Sequence, residues 1–271
     1  MQGIKEFIPT EHKIHYANSL LKVGFSRIDI GSFVSHKAIP QMRDTEELLS
    51  KIEFDSSKSA LSVIVANRRG AHDAVVFDQV SILGYPFSIS ETFQLRNTNA
   101  SIETSLQRIA DIQAIAIKNK KELLIYISMG FGNPYGDIWN VEIVETYVSK
   151  LYSLGIRKFS LSDTIGVSTP ETIQYIFSNL IPRFPDVEFN AHLHTTPDTW
   201  EEKIHAAYSS GCSSFDGAIK GYGGCPMAKD ELTGNMPMEK MIRYFSDKSI
   251  PMGIDIEQFQ RSLEQSSLIF H

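Results

Sequence analysis

Short apolar runs alternate with longer amphipathic segments along the whole chain of 271 residues. The spacing of the longer segments is helical, as in Ile102, Leu106 and Ile109, where apolar residues recur at intervals of four and three. Alternation of strands and helices predicts parallel strands joined by crossover helices. Seven runs have the length and β-rich composition of strands: Arg27–Ile30, Leu61–Val65, Ile82–Ile89, Leu123–Ile127, Lys158–Leu161, Val187–Ala191 and Ser213–Ile219.

This alternation favours an α/β fold of the TIM (β/α)8 barrel type, with residues 1–271 as a single domain. An open doubly wound sheet would also fit, but no glycine-rich dinucleotide loop follows an early strand. A barrel needs eight strands, one more than the pattern provides. The first helical segment, with Ile14, Ala17 and Leu21 on one face, starts so early that the missing strand is expected to be the first.

Composition argues against several classes of protein. A net charge of -6 and a pI near 5.8 argue against a nucleic-acid partner, because nothing in the chain forms a basic patch that could neutralise phosphates. No apolar run reaches the length of a membrane span, and the N-terminal residues lack the pattern of a signal peptide. Two cysteines exclude a disulfide framework. A cytoplasmic protein is expected.

The pair His192 and His194 ends the sixth predicted strand run. Residues two apart in a strand point to the same side, so both imidazoles are expected to face one point. The C-terminal ends of strands are where barrel active sites lie, and neutral imidazole binds borderline divalent metals. Two solvated or core histidines are an equally good interpretation of this pair alone.

Two further candidates follow predicted strands. Cys225 lies in the glycine-rich segment 221–226, where a thiol could exchange a proton with a reacting atom, although a flexible loop with an incidental cysteine fits as well. Asp163 comes directly after the Lys158–Leu161 run and could orient a ligand or a histidine. Capping of the following turn is an equally common role for such an aspartate.

Four more polar residues occupy comparable positions. Asn235 could offer a carbonyl oxygen to a metal, but capping of the final helical segment is the default interpretation. Asp29 and Ser32 mark the end of the first predicted strand, and Asn133 lies in a loop that could line a pocket or simply join two elements. Two histidines with an oxygen ligand suit Mg²⁺, Mn²⁺ or Zn²⁺ acting as a Lewis acid.

Taken together, these segments resemble the 3-hydroxy-3-methylglutaryl-CoA lyase family over essentially the whole chain. The Ser-Phe-Val-Ser and Gly-Gly-Cys-Pro elements are the most specific parts of the likeness. The motifs, in the family's order, are 32–37, 40–42, 162–167, the two histidines, 223–226 and 234–235.

The resemblance implies cleavage of 3-hydroxy-3-methylglutaryl-CoA to acetyl-CoA and acetoacetate, a reaction of leucine catabolism, with Mg²⁺ or Mn²⁺ as cofactor. It implies that His192, His194 and Asn235 bind the metal. Cys225 matches the catalytic loop cysteine and is expected to donate a proton, with His192 assisting. Asp163 matches an active-site aspartate. Asp29, where the family has Glu, would contact the substrate together with Ser32 and Asn133.

One departure affects activity. Family members begin with a strand ending in Pro-Arg-Asp-Gly, and this chain starts at residues that align just after it. The resemblance therefore predicts a shortened chain that is weakly active or inactive, with unpaired strand edges near Asp29 and Asp216 that favour a homo-oligomer. Thr195 stands where the family commonly has Asp. Another aldolase or acyl-CoA condensing enzyme of the same superfamily, or a non-catalytic relative, remains an alternative.

Overall fold

The computed structural model describes residue 4 and residues 6–54, 57–223 and 234–270. Helices and strands alternate through this part of the chain. The helices are α1 (Thr10–Val23), α2 (Thr45–Lys51), α3 (Arg68–Val75), α4 (Glu91–Thr98), α5 (Ile102–Lys118), α6 (Val141–Ser153), α7 (Pro170–Arg183), α8 (Trp200–Ser209), α9 (Met238–Asp247) and α10 (Ile256–Ile269). The strands are β1 (Arg27–Ser32), β2 (Ala60–Ile64), β3 (Val80–Ser88), β4 (Glu122–Ser128), β5 (Lys158–Ser162), β6 (Glu188–His192), β7 (His194–Thr195), β8 (Ser214–Phe215) and β9 (Gly234–Asn235).

Seven of these strands form one parallel sheet in the order β1-β2-β3-β4-β5-β6-β8. Spatial order follows chain order, as in a barrel in which each crossover helix leads to the neighbouring strand. Side chains from β1 and from the residue after β8 touch each other, so the sheet curls until its two ends face one another. Within the described residues, neither end strand pairs on its outer edge. The predicted TIM-barrel-type fold with seven strands is confirmed.

The last predicted strand differs most in length from the strand observed in the structure. Of the run Ser213–Ile219, only Ser214–Phe215 pairs with β6, and residues Ile219–Gly221 form a turn of 3₁₀ helix. The prediction of a long strand was wrong because Ala218 forms a bridge with Pro237 instead of continuing the ladder with β6. A sequence run of apolar residues does not reveal which partner its backbone will find.

The two faces of the sheet differ in chemistry. Side chains on the outer face, such as Leu83 and Phe87, belong to the large apolar core shared with the helices. Side chains on the inner face alternate with them, and near β2, β3 and β4 they form a small apolar cluster centred on Leu124 and Tyr126. The inner face near β1, β5, β6 and β8 is polar instead. This polar half of the interior holds the candidate site.

Six helices in the described residues begin at a residue whose side chain accepts a hydrogen bond from a backbone amide in the first turn. The Thr169 hydroxyl accepts a hydrogen bond from the Thr172 amide, and the Thr172 hydroxyl accepts one from the Thr169 amide, forming a capping box with Pro170 in the first turn of α7. Among helices in the described ranges, none has both the length and the apolar character needed to cross a bilayer.

Candidate active site

His192 and His194 lie beside each other at the C-terminal end of β6. The chain leaves the large sheet after His192, and His194 begins β7. The two ring centroids are 5.5 Å apart. His192 faces the interior with 27% of its side chain exposed, whereas His194 is buried. The structure therefore brings the two imidazoles together at the strand end where barrel active sites lie.

Asn235 joins this pair through the backbone. Strand β9 runs antiparallel to β7, and in its register Asn235 is opposite His194. The Asn235 side-chain amide nitrogen donates to the Tyr222 carbonyl at 2.9 Å. The expectation that Asn235 caps the final helical segment was wrong, because the residue before α9 is Pro237 and Asn235 is held in the β7–β9 pair.

The buried Nδ1 atom of His194 has no hydrogen-bond partner in the part of the chain that the structure describes. Burial, followed by the nearby charges of His192 and Lys203, lowers the pKa of His194 to about 3. The imidazole is therefore neutral at physiological pH. A neutral, buried and unpartnered ring nitrogen is a donor atom suited to a divalent metal.

His192 is oriented by Asp216, which follows β8 directly. Asp216 Oδ2 lies 2.9 Å from His192 Nδ1 and also accepts a hydrogen bond from the Ser160 hydroxyl at 3.1 Å. Burial opposes the charge of Asp216, but Arg27 and His192 outweigh it and lower the pKa of the carboxyl to about 2. Burial also opposes charge on His192, yet Asp216 raises its pKa above the ordinary value. Asp216 thus engages one ring nitrogen and leaves Nε2 for other chemistry.

Sequence reasoning missed Asp216 as a functional residue. Asp216 lies inside the predicted run Ser213–Ile219, whereas Asp163 and Asp29 were selected because they lie at the ends of predicted strands. The available signal was that Asp216 is the only charged residue in that run. Its partner could not be identified from the sequence, since His192 and Asp216 are 24 residues apart and come from different strands.

Arg27, Asp29, Tyr126, His192 and Asp216 form a closed circuit of contacts across the interior, here called the interior ring. The Arg27 Nη2 atom lies 2.5 Å from Asp216 Oδ1, and its Nε atom lies 3.4 Å from Asp29 Oδ1. The Tyr126 hydroxyl donates to Asp29 Oδ2 at 2.5 Å, and the Tyr126 ring meets the His192 ring edge-on at 5.9 Å between centroids. Asp29 therefore faces the same interior as the histidine pair.

Asp163 is placed differently. Its buried carboxylate accepts hydrogen bonds from the Lys203 ammonium at 2.8 Å and from the Ser168 hydroxyl at 2.5 Å, as well as from the Ser168 amide at 3.1 Å. Lys203 also donates to the backbone carbonyl of His194 at 2.9 Å. The Asp163 carboxylate thus holds the loop after β5 against the histidine segment, and its catalytic role stays a prediction.

Two of the remaining predicted residues are Ser32, the last residue of β1, and Asn133, in the loop after β4. The Ser32 side chain is buried, and its hydroxyl accepts from the Val34 amide at 3.3 Å. The Asn133 carbonyl oxygen accepts from the amides of Tyr135 and Asp137, which fixes a turn after β4. Neither side chain belongs to the interior ring. Cys225 lies outside the described residues.

The types of donor atom at this site suit a divalent metal. They are two imidazoles, one with an orphaned buried nitrogen, and an amide oxygen on the strand paired with His194. In the described ranges, no group of three or more His, Cys, Asp or Glu side chains is placed to hold a metal ion. The candidate ligands are two histidines and one amide, and the carboxylates of Asp29 and Asp216 are engaged by other partners.

Comparison with known proteins gives a consistent picture. The HMGL-like family matches residues 1–265. The cytoplasmic 3-hydroxy-3-methylglutaryl-CoA lyase of Rattus norvegicus is 32% identical over 261 residues, covering 95% of this chain and 74% of that protein. A hydroxymethylglutaryl-CoA lyase of Bacillus subtilis is 30% identical over 260 residues, covering 95% of this chain and 85% of that protein.

Among solved structures, this chain is similar to an HMG-CoA lyase from Acinetobacter baumannii in complex with coenzyme A and 3-methylmalate. The TM-score is 0.92 at 29% identity, and the match covers 99% of this chain and 87% of the other. At 12% identity, the carboxyl transferase domain of Rhizobium etli pyruvate carboxylase matches with a TM-score of 0.70, which shows a shared fold alone.

Proposed function

The chain belongs to the HMGL-like family, and from that membership we propose that it is a carbon–carbon lyase that cleaves 3-hydroxy-3-methylglutaryl-CoA to acetyl-CoA and acetoacetate. The observation that carries the proposal is the grouping of His192, His194 and Asn235 at the C-terminal end of β6, with one buried ring nitrogen unpartnered in the described residues. Support comes from the names of the similar lyases and from the relative that binds coenzyme A.

His192, His194 and Asn235 would hold a divalent metal, Mg²⁺ or Mn²⁺, through two ring nitrogens and one amide oxygen. Such a metal supplies Lewis-acid polarisation of the substrate's oxygens when bound. The buried position of His194 keeps its imidazole neutral, which a ligand must be. Asp216 fixes the ring orientation of His192, because it engages Nδ1 and leaves Nε2 toward the ligand side.

The reaction moves one proton off the substrate and one back on. Loss of the tertiary hydroxyl proton lets the C2–C3 bond break, which forms the ketone of acetoacetate and leaves the enolate of acetyl-CoA. His192 assists proton transfer, while Asp216 holds its Nδ1. Cys225 donates the proton that converts the enolate to acetyl-CoA. Asp29, Ser32 and Asn133 contact the substrate, and Asp163 acts by holding the His194 segment through Lys203.

The proposal extends to the setting of the enzyme. Residues 1–271 form a single lyase domain that works in the cytoplasm on an acyl-CoA, without a nucleic-acid or membrane partner. The net negative charge of the chain supports the exclusion of a nucleic-acid partner. Homo-oligomer formation is supported by the outer edges of β1 and β8, which pair with nothing in the described ranges and would favour association.

The proposal is tested by incubating the purified protein with 3-hydroxy-3-methylglutaryl-CoA and following acetyl-CoA and acetoacetate by mass spectrometry. Turnover should stop with a chelator, return with Mg²⁺ or Mn²⁺, and fall by about 100-fold or more in His194→Ala. His205→Ala is the matched control, because His205 is exposed on α8 and contacts Tyr244 away from the histidine pair. Chelator-resistant activity, or a fully active His194→Ala variant, would contradict the metal assignment.

A second candidate is a non-catalytic relative that binds an acyl-CoA without cleaving it. It is favoured because, in the described ranges, no group of three or more His, Cys, Asp or Glu side chains is placed to hold a metal ion. Binding of coenzyme A measured by calorimetry, with no product from this substrate or from other acyl-CoAs and 2-oxo acids, would select it. Cleavage of one of those other substrates would instead identify a different enzyme of the same superfamily.

A further inference from the structure

Arg27 is a buried cation in an unusual place. It is the first residue of β1 and its side chain is 11% exposed. The guanidinium crosses the interior to Asp216, 189 residues later in the chain, on the opposite end of the sheet. A long charged side chain loses conformational entropy and hydration on such burial, so its partners must compensate for both.

Two carboxylates provide that compensation. Arg27 Nη2 meets Asp216 Oδ1 at 2.5 Å, and Nε lies 3.4 Å from Asp29 Oδ1. Burial opposes the positive charge, but Asp216 and Asp29 outweigh it and raise the pKa of Arg27 above its ordinary value. The planar guanidinium has several donors in a fixed fork and can hold both carboxylates at once, which an ammonium does less well.

The two oxygens of Asp216 have separate tasks. Oδ1 is engaged by Arg27, while Oδ2 contacts His192 Nδ1 at 2.9 Å and the Ser160 hydroxyl at 3.1 Å. With Oδ1 anchored, rotation of the carboxylate about its last bond would break the Arg27 contact. The direction in which Oδ2 points is therefore fixed from β1, although Arg27 itself does not reach the histidine.

We propose that Arg27 is a positioning residue for His192, acting through the carboxylate of Asp216. The contact sequence Arg27–Asp216–His192 links the two end strands of the sheet and sets which ring nitrogen carries the proton. The same guanidinium steadies Asp29, which receives the Tyr126 hydroxyl, so the whole interior ring depends on it. The proposal rests on the proposed function in that the oriented histidine would serve as a metal ligand.

The test compares Arg27→Met, which keeps the length of the side chain without its charge, with Arg27→Lys, which keeps the charge. Arg183→Met is the matched control, because Arg183 is 60% exposed and pairs with Glu145 on the outer helices. ¹⁵N-histidine NMR without metal reports the tautomer of each of the eight histidines, and His192→Gln assigns the signal. Mn²⁺ affinity is measured separately by electron paramagnetic resonance.

We expect His192 to be protonated at Nδ1 in the unsubstituted protein and in Arg183→Met. In Arg27→Met it should shift toward the Nε2-protonated form, which an imidazole prefers without a partner, and Mn²⁺ should bind about 10-fold more weakly. Arg27→Lys should restore the Nδ1 form and most of the affinity. A tautomer and Mn²⁺ affinity unchanged in Arg27→Met, even with a lower Tm, would overturn the proposal.

The tautomer measurement and the Mn²⁺ affinity together distinguish a failure of this proposal from a failure of the proposed function. If Arg27→Met does not fold, Arg27→Gln takes its place in the comparison with Arg27→Lys, and a His192 tautomer unchanged in folded Arg27→Gln overturns the proposal. If the unsubstituted protein binds no Mn²⁺ and cleaves no substrate, the lyase proposal fails. The tautomer measurement still decides the role of Arg27 in that case, since it needs neither metal nor turnover.

Discussion

Replacement of Lys203 by Met should destabilise the protein strongly. Lys203 is 2% exposed at the side chain, and its ammonium donates to Asp163 at 2.8 Å, to the His194 carbonyl at 2.9 Å and to the Gly166 carbonyl at 3.1 Å. Loss of the ammonium leaves a carboxylate and two carbonyls buried without this partner. Breaking a buried ion pair on one side costs about 3–5 kcal/mol, and the Ser168 hydrogen bonds that remain to Asp163 place the expected loss near 4 kcal/mol.

Urea unfolding followed by circular dichroism measures this loss. With a slope of about 2–3 kcal/mol per molar urea, the midpoint should fall by roughly 1.3–2 M. Lys51→Met is the matched control, because Lys51 forms ion pairs with Glu11 and Glu47 at the surface, where solvent screens them, and its loss should move the midpoint little.

The double variant Lys203→Met/Asp163→Asn tests the physical cause. A neutral amide in place of the carboxylate removes the uncompensated charge, so the double variant should be less destabilised than the sum of the single variants, with a coupling of at least about 1 kcal/mol. A Lys203→Met variant no less stable than Lys51→Met, or strictly additive single effects, would refute the assignment of Lys203–Asp163 as a buried ion pair that holds the site.

Three further outcomes are expected. Because burial lowers the pKa of His194 to about 3, the unfolded chain takes up a proton below pH 6.5 that the folded chain does not. In chelator the unfolding free energy should therefore fall by up to about 1.4 kcal/mol per unit as pH drops from 6.5 toward 3, and a His194→Asn variant with an equally steep slope would count against this. Burial raises the pKa of the Cys212 thiol to about 12, so iodoacetamide at pH 8 should label Cys212 in urea but not in the native protein, as read by peptide mass spectrometry. Gly70→Ala should lower the thermal midpoint, because a Cβ at this position would lie 2.4 Å from the backbone oxygen of Phe33; an unchanged midpoint would show that α3 can move away.

Local patterns in the sequence sufficed for the strands and for much of the site. The Lys158–Leu161 and Leu123–Ile127 runs became β5 and β4 because their residues fit a doubly covered sheet wherever it forms. His192 and His194 could be paired in advance, since two residues of one strand end need no tertiary information to be neighbours. The grouping of Asn235 with His194 was predicted only from the resemblance to the lyase family, because the position of Asn235 before a helical segment favoured a helix cap.

What the sequence left open are the contacts between elements. Asp163 and Asp216 both follow strands, and the neighbouring sequence does not show that their roles differ. In the structure Lys203 holds the Asp163 carboxylate, whereas the Asp216 carboxylate faces His192. Arg27 looks like an ordinary charged residue at the start of a strand, and the structure places it across the interior.

The sequence by itself determined the order of the strands and helices, and it determined which strand ends carry the polar residues of the candidate site. Both follow from hydrophobic periodicity and chain direction, which are properties of neighbouring residues. The curl of the sheet decided which of the collected side chains meet. Curling brings β1 opposite β8, so an arginine, two aspartates, a tyrosine and a histidine from distant parts of the chain share one interior. In that interior each charge must find a partner, and partner choice there depends on distances of a few ångströms that only the folded chain defines.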